Sequence, residues 1–81
     1  EAWRQVLMLV SDRAPTVDGG LRLSLREGAP LDEVTRLAVA EQGCCAFFSF
    51  ALTIDDRGVA LEVRAPADAT EILHALFGAD V

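Results

Sequence analysis

Phe48-Ser49-Phe50-Ala51-Leu52-Thr53-Ile54 and Val59-Ala60-Leu61-Glu62-Val63-Arg64, joined by Asp55-Asp56-Arg57-Gly58, decide the fold. In the first run Phe48, Phe50, Leu52 and Ile54 alternate with smaller or polar residues. In the second, Val59, Leu61 and Val63 alternate with Ala60, Glu62 and Arg64. Successive strand side chains point to opposite faces, so each run reads as a strand with one apolar face. The Gly-bearing joint makes the pair a β-hairpin.

Leu21-Arg22-Leu23-Ser24-Leu25-Arg26 alternates in the same way and supplies a third strand. Gly28, Ala29 and Pro30 end it. Pro30 suits the first position of a helix, and Asp32 and Glu33 suit its first turn, where negative charge meets the positive end of the dipole. Leu31, Val34, Leu37 and Ala38 then form one helical stripe, which continues to Glu41 and on to Cys44 and Cys45. After the hairpin, Pro66 stops the strand. A last helix carries Ala69, Ile72, Leu73, Leu76 and Phe77 on one side, with Gly78 placed to end it.

Residues 1–13 read two ways. Trp3, Val6, Leu7 and Val10 have helical spacing, while Val6 to Val10 is an unbroken apolar run that also suits a buried strand. The abundance of Ala, Leu, Met, Arg and Gln favours helix. Asp12 to Gly20 reads as a loop, broken by Pro15, Asp18, Gly19 and Gly20.

The expected architecture is one α+β domain over residues 1–81. A three-stranded antiparallel sheet in β-α-β-β-α order, a split βαβ or ferredoxin-like fragment, follows an extra N-terminal helix. The third strand is expected between the first two. The helices should cover one face, and Arg22, Ser24, Arg26, Ser49, Ala51, Thr53, Ala60, Glu62 and Arg64 should lie on the other.

At 81 residues and 52% hydrophobic, the chain suits a single small core. So high an apolar fraction suggests a homodimer, or cover from the remainder of a longer protein. The net charge is −6, and every basic residue is Arg. Phosphate contacts need clustered cations, so no direct nucleic-acid contact is expected. No stretch approaches the ~20 apolar residues of a membrane helix. Two cysteines in an otherwise disulfide-poor chain point to the cytoplasm, where thiols stay reduced.

Glu41-Gln42-Gly43-Cys44-Cys45-Ala46-Phe47-Phe48 is the one chemically pointed segment. Spacings of three and four residues put Glu41 beside both thiols on a helix. Glu41 also falls on the apolar stripe, where a charge needs an answer from a cation, an Arg or solvent. Two thiols and a carboxylate can hold a soft or borderline ion such as mercury, copper(I), cadmium or zinc. Adjacent cysteines diverge by about 100° on a helix, so convergence requires the helix to end there. A tetrahedral zinc site needs a further donor. His74, the only histidine, lies off the stripe of its helix and reads as a surface residue. A helix C-terminus, a carboxylate and an apolar flank all raise thiol pKa, which disfavours a catalytic cysteine.

The other readings of the pair are core packing within a dimerisation module, with Trp3 as an interface anchor, and a vicinal-dithiol redox sensor. Asp55-Asp56 reads as a solvated turn. With no Tyr, one His, no phosphate loop and no Ser–His–Asp set, the chain is not expected to be an enzyme.

Glu41-x-x-Cys44-Cys45-x-Phe47-Phe48, followed by Leu61-Glu62-Val63-Arg64-Ala65-Pro66 and Leu76-Phe77-Gly78, resembles a family of small actinobacterial-type domains with an E-x-x-C-C-x-F-F motif. These occur alone or appended to regulators of the MerR type. The resemblance covers about the last two thirds of the chain. It implies a metal-linked or regulatory role, with Glu41, Cys44 and Cys45 as ligands and the remainder of a longer regulator as a partner. Ala46 departs from the pattern, standing where Pro is more common.

Overall fold

Leu23 and Leu61 face each other on adjacent strands, and both are fully buried. The sheet is built outward from this pair. The computed structural model describes residues 2–78. Its elements are α1 (Ala2–Leu7), β1 (Val10–Pro15), β2 (Leu21–Leu25), α2 (Leu31–Cys44), β3 (Ser49–Asp55), β4 (Gly58–Arg64), a single 3₁₀ turn (Ala67–Ala69) and α3 (Thr70–Phe77). The strand order is β1-β2-β4-β3, and every neighbouring pair is antiparallel.

The β3–β4 hairpin, the crossover through α2 and the placement of β4 between β2 and β3 match the sequence pattern. The sheet has four strands, however, and not three. Residues 10–15, split by the sequence reading between a helix and a loop, form β1 on the outer edge of β2. Asp12, Arg13 and Pro15 hide this strand from a pattern search. They are also the residues that suit an edge, where a free N–H is not needed and charge discourages further pairing. The register shifts between Val10 and Asp12, so the edge is also bulged. The helical reading holds only for residues 2–7.

Gly20 closes the β1–β2 turn. A Cβ there would lie 2.4 Å from the Val63 carbonyl oxygen, so only glycine lets the turn approach β4. The Gly20 N–H donates to the Thr16 hydroxyl at 2.8 Å. Asp18 accepts from Thr16 and from Arg64 across the turn.

The core face carries Leu21, Leu23, Leu25, Leu61 and Val63 under Val34, Leu37 and Ala38 of α2 and Leu73 and Phe77 of α3. Phe77 meets Phe48 edge-on at 5.7 Å and Phe50 at 6.0 Å. Two helical positions expected in the core are not there: Ile72 and Leu76 are half exposed, because α3 is short and buries only one narrow stripe. On the opposite face Arg22 is buried, donating to Thr53 at 3.2 Å and pairing with Glu62 at 3.4 Å. Glu62 also pairs with Arg64 at 3.0 Å. Ala60, on this side as expected, is fully buried between Ser24 and Thr53 of the flanking strands. Among the described residues, no helix is long and apolar enough to cross a membrane.

Two outcomes follow for stability. Phe77→Ala removes the ring that joins α3 to β3, and should cost about 3–5 kcal/mol in urea denaturation. Hydrogen bonding from Thr16, then from Arg64, lowers the Asp18 carboxyl to about 2 from its ordinary 3.8. A carboxylate lowered by folding stabilises the native state above its unfolded value, and that contribution fades as pH falls through the folded value. The melting-temperature gap between wild type and Asp18→Asn should therefore be widest above 3.8 and close as pH approaches about 2.

Candidate functional site

Cys44 is the last residue of α2, and Cys45 is its C-cap. The helix ends here because Cys45 leaves helical geometry, with φ −126° and ψ 84°, while its N–H still donates to the Glu41 carbonyl at 2.7 Å. The Phe48 N–H then donates to the Cys45 carbonyl at 3.1 Å, which turns the chain into β3. Phe48 is buried and packs against Phe47 at 4.8 Å. One aromatic ring inside and one half outside pin the joint that presents the thiols.

Both thiols are free. Cys44 is exposed, and Cys45 is partly exposed with its inner side against the core. The alternative reading, in which both cysteines are small core hydrophobes, does not describe Cys44. The reason is geometric: the apolar stripe of α2 is buried at Val34, Leu37 and Ala38, but the last turn overhangs the sheet.

Glu41 has a partner that sequence reasoning did not identify. The Trp3 indole N–H donates to Glu41 Oε1 at 3.0 Å, from a ring that is itself buried. Trp3 stacks on Phe50 at 5.9 Å and meets Phe77 edge-on at 5.1 Å. The carboxylate on the apolar stripe is thus answered by a neutral N–H. Trp3 is an internal anchor here, buried in the core rather than set at a surface. Helical phase alone could not have revealed the contact, since α1 and α2 are distant in sequence.

The Glu41 carboxylate also acts on the Cys45 thiol as a hydrogen-bond acceptor that favours its protonated form. This is the largest reason that the thiol is pushed up to about 11 from 9.0; partial burial and the neighbouring Cys44 add to it. The structure therefore brings Glu41, Cys44 and Cys45 into one neighbourhood. Even so, among the described residues no group of three or more His, Cys, Asp or Glu is arranged as a ready ligand cage. Proximity is present, but convergence of three donors on one point is not. The donors at hand fit an ion satisfied by two sulfurs better than one that demands four ligands.

A groove of about 680 Å³ opens behind Glu41, lined by Trp3, Met8, Arg13 and His74 among others. His74 is exposed, as its position off the stripe implied. No protein-family model, no curated protein and no solved structure matches the chain.

A thiol whose pKa is raised is a poor nucleophile at neutral pH. Alkylation should label Cys44 before Cys45, with the Cys45 rate still rising toward pH about 11. Glu41→Gln replaces the carboxylate acceptor that favours the protonated thiol with a weaker, neutral amide. It should return the Cys45 titration toward 9.0 and speed its neutral-pH labelling about tenfold, as read by mass spectrometry of each peptide.

Proposed function

We propose that this domain is a thiol-based binding or sensing module for a soft metal ion, held by Cys44 and Cys45 with Glu41 beside them. The observation that carries the reading is the exposure of the pair: both sulfurs are free, and one is open to solvent at the end of α2. A cysteine that served only as packing would not stand exposed as Cys44 does.

The chemistry of the donors selects the ion. Thiolates prefer mercury(II), copper(I) or cadmium, while zinc asks for more ligands than the two sulfurs and one carboxylate offer. Mercury(II) and copper(I) are therefore the favoured occupants. Such an ion supplies the positive charge that makes thiolates stable at neutral pH. The raised Cys45 thiol keeps its proton until then and releases it when the ion binds. The same protonated state argues against the redox-sensor reading, because oxidation begins from the thiolate.

The role is regulatory and not catalytic. Binding at the Glu41–Cys45 joint acts on Trp3, and through Trp3 on the aromatic core, so occupancy can be felt across the domain. The working compartment is the cytoplasm, where free thiols persist. Attachment to a longer regulator belongs to this reading.

Trp3 is the only tryptophan and touches Glu41 directly, so its fluorescence reports on the site. Titrating the reduced protein with mercury(II) or copper(I) should change Trp3 emission and consume both thiols together at one ion per chain. The ion should be retained against excess monothiol. Zinc should bind at least about tenfold more weakly. Unchanged affinity in Cys44→Ser/Cys45→Ser would refute the proposal.

A further inference from the structure

The two borders of the sheet are built differently. The β1 border carries a bulge, Asp12, Arg13 and Pro15, which together discourage another strand from pairing. The β3 border has none of these. From Ser49 to Ile54 it is uncharged, free of Pro and Gly, and in regular register with β4. Among the described residues it has no second neighbour, so its outward N–H and C=O groups are open to pairing.

The apolar face of β3 is also poorly covered. Phe50, Leu52 and Ile54 lie on the side of the sheet that the helices cover, opposite Val63, Leu61 and Val59. Yet Leu52 is 38% exposed and Ile54 72%. Between β3 and α2 runs an open groove of about 310 Å³, lined by Val34, Ala38, Val39, Phe50, Leu52 and Leu61. Val39, on the rim, is 67% exposed.

We infer that β3 and the flank of α2 beside it form the contact with a second copy of this chain, strand β3 lying antiparallel to its counterpart across a two-fold axis at Leu52. Charge permits this occupant, and the sequence of the strand selects it. The chain carries −6, so two copies repel unless they meet where neither is charged. The strip meets that condition: Thr35, Val39 and Gln42 of α2 face it without charge, and Asp55 at the end of β3 is neutralised by Arg57 of its own chain at 2.7 Å. The strand is also self-complementary. Centred on Leu52, the pairing sets Phe50 opposite Ile54 twice, Ala51 opposite Thr53 twice, and Asp55 opposite Ser49. No like charges face each other, and Ile54 of each copy comes to rest beside the groove of the other. The result is an eight-stranded sheet with the two α2 helices side by side over the joined apolar strip.

This inference rests on the strand border and not on the thiols, so either proposal can fail without the other. Ile54 and Val39 are exposed, and replacing them leaves the fold intact, as circular dichroism checks. Sedimentation of the wild-type chain should show a dimer that persists in Cys44→Ser/Cys45→Ser. Ile54→Lys and Val39→Glu should each raise its dissociation constant about tenfold or more. In the serine background, Leu52→Cys should cross-link to itself under mild oxidation while Met8→Cys does not. A wild-type chain that stays monomeric at its solubility limit overturns the inference, including one that instead captures a foreign strand. A dimer indifferent to both surface variants, with no Leu52→Cys cross-link, overturns it equally.

Discussion

The indole of Trp3 holds the domain's separate parts in one arrangement. It is a buried ring stacked on β3, set edge-on to the end of α3, and hydrogen-bonded to the last turn of α2. Each aromatic contact adds about 0.5–1.5 kcal/mol beyond the area it buries. More important is connectivity. The first helix is only six residues long and could not hold itself in water. Packing supplies its stability, and in return its one large side chain fixes both the last helix and the carboxylate at the thiol pair. Core and site are therefore one physical unit, joined at Glu41.

Electrostatics divides the molecule along its two sheet faces. One face is the hydrocarbon core. The other carries a chain of ionic contacts, Arg22–Glu62–Arg64–Asp18, running from the middle of the sheet to the β1–β2 turn. Arg22 can be buried because Glu62 and Thr53 both accept from it. The thiol pair lies outside this network, at a helix C-terminus beside a carboxylate. There the local field favours a neutral thiol, until something positively charged arrives.

Much of this organisation was legible in the residues. The alternation of β2, β3 and β4, the stripe of α2 and the end of that helix at the cysteines all follow from period and breaker residues. Edge strand β1 did not, because the features that protect an edge are those that erase a strand pattern: Asp12, Arg13, Pro15 and a bulge. The exposure of Ile54 and Leu52 was equally hidden. Alternation shows which face a side chain occupies, but not how far the covering helices extend over it. At the site, sequence spacing put Glu41 beside the cysteines. The Trp3 contact depends on a tertiary approach between residues 38 positions apart, which no local pattern encodes.

The unequal borders of the sheet also limit growth. A flat border on each side would let molecules stack strand upon strand into a filament. Here whatever lies along β3 uses up the receptive rim, and the kinked, proline-bearing strand at the far side refuses the next arrival. Any assembly begun at β3 is therefore self-terminating, which lets a small apolar chain leave one rim bare without an open path to polymerisation.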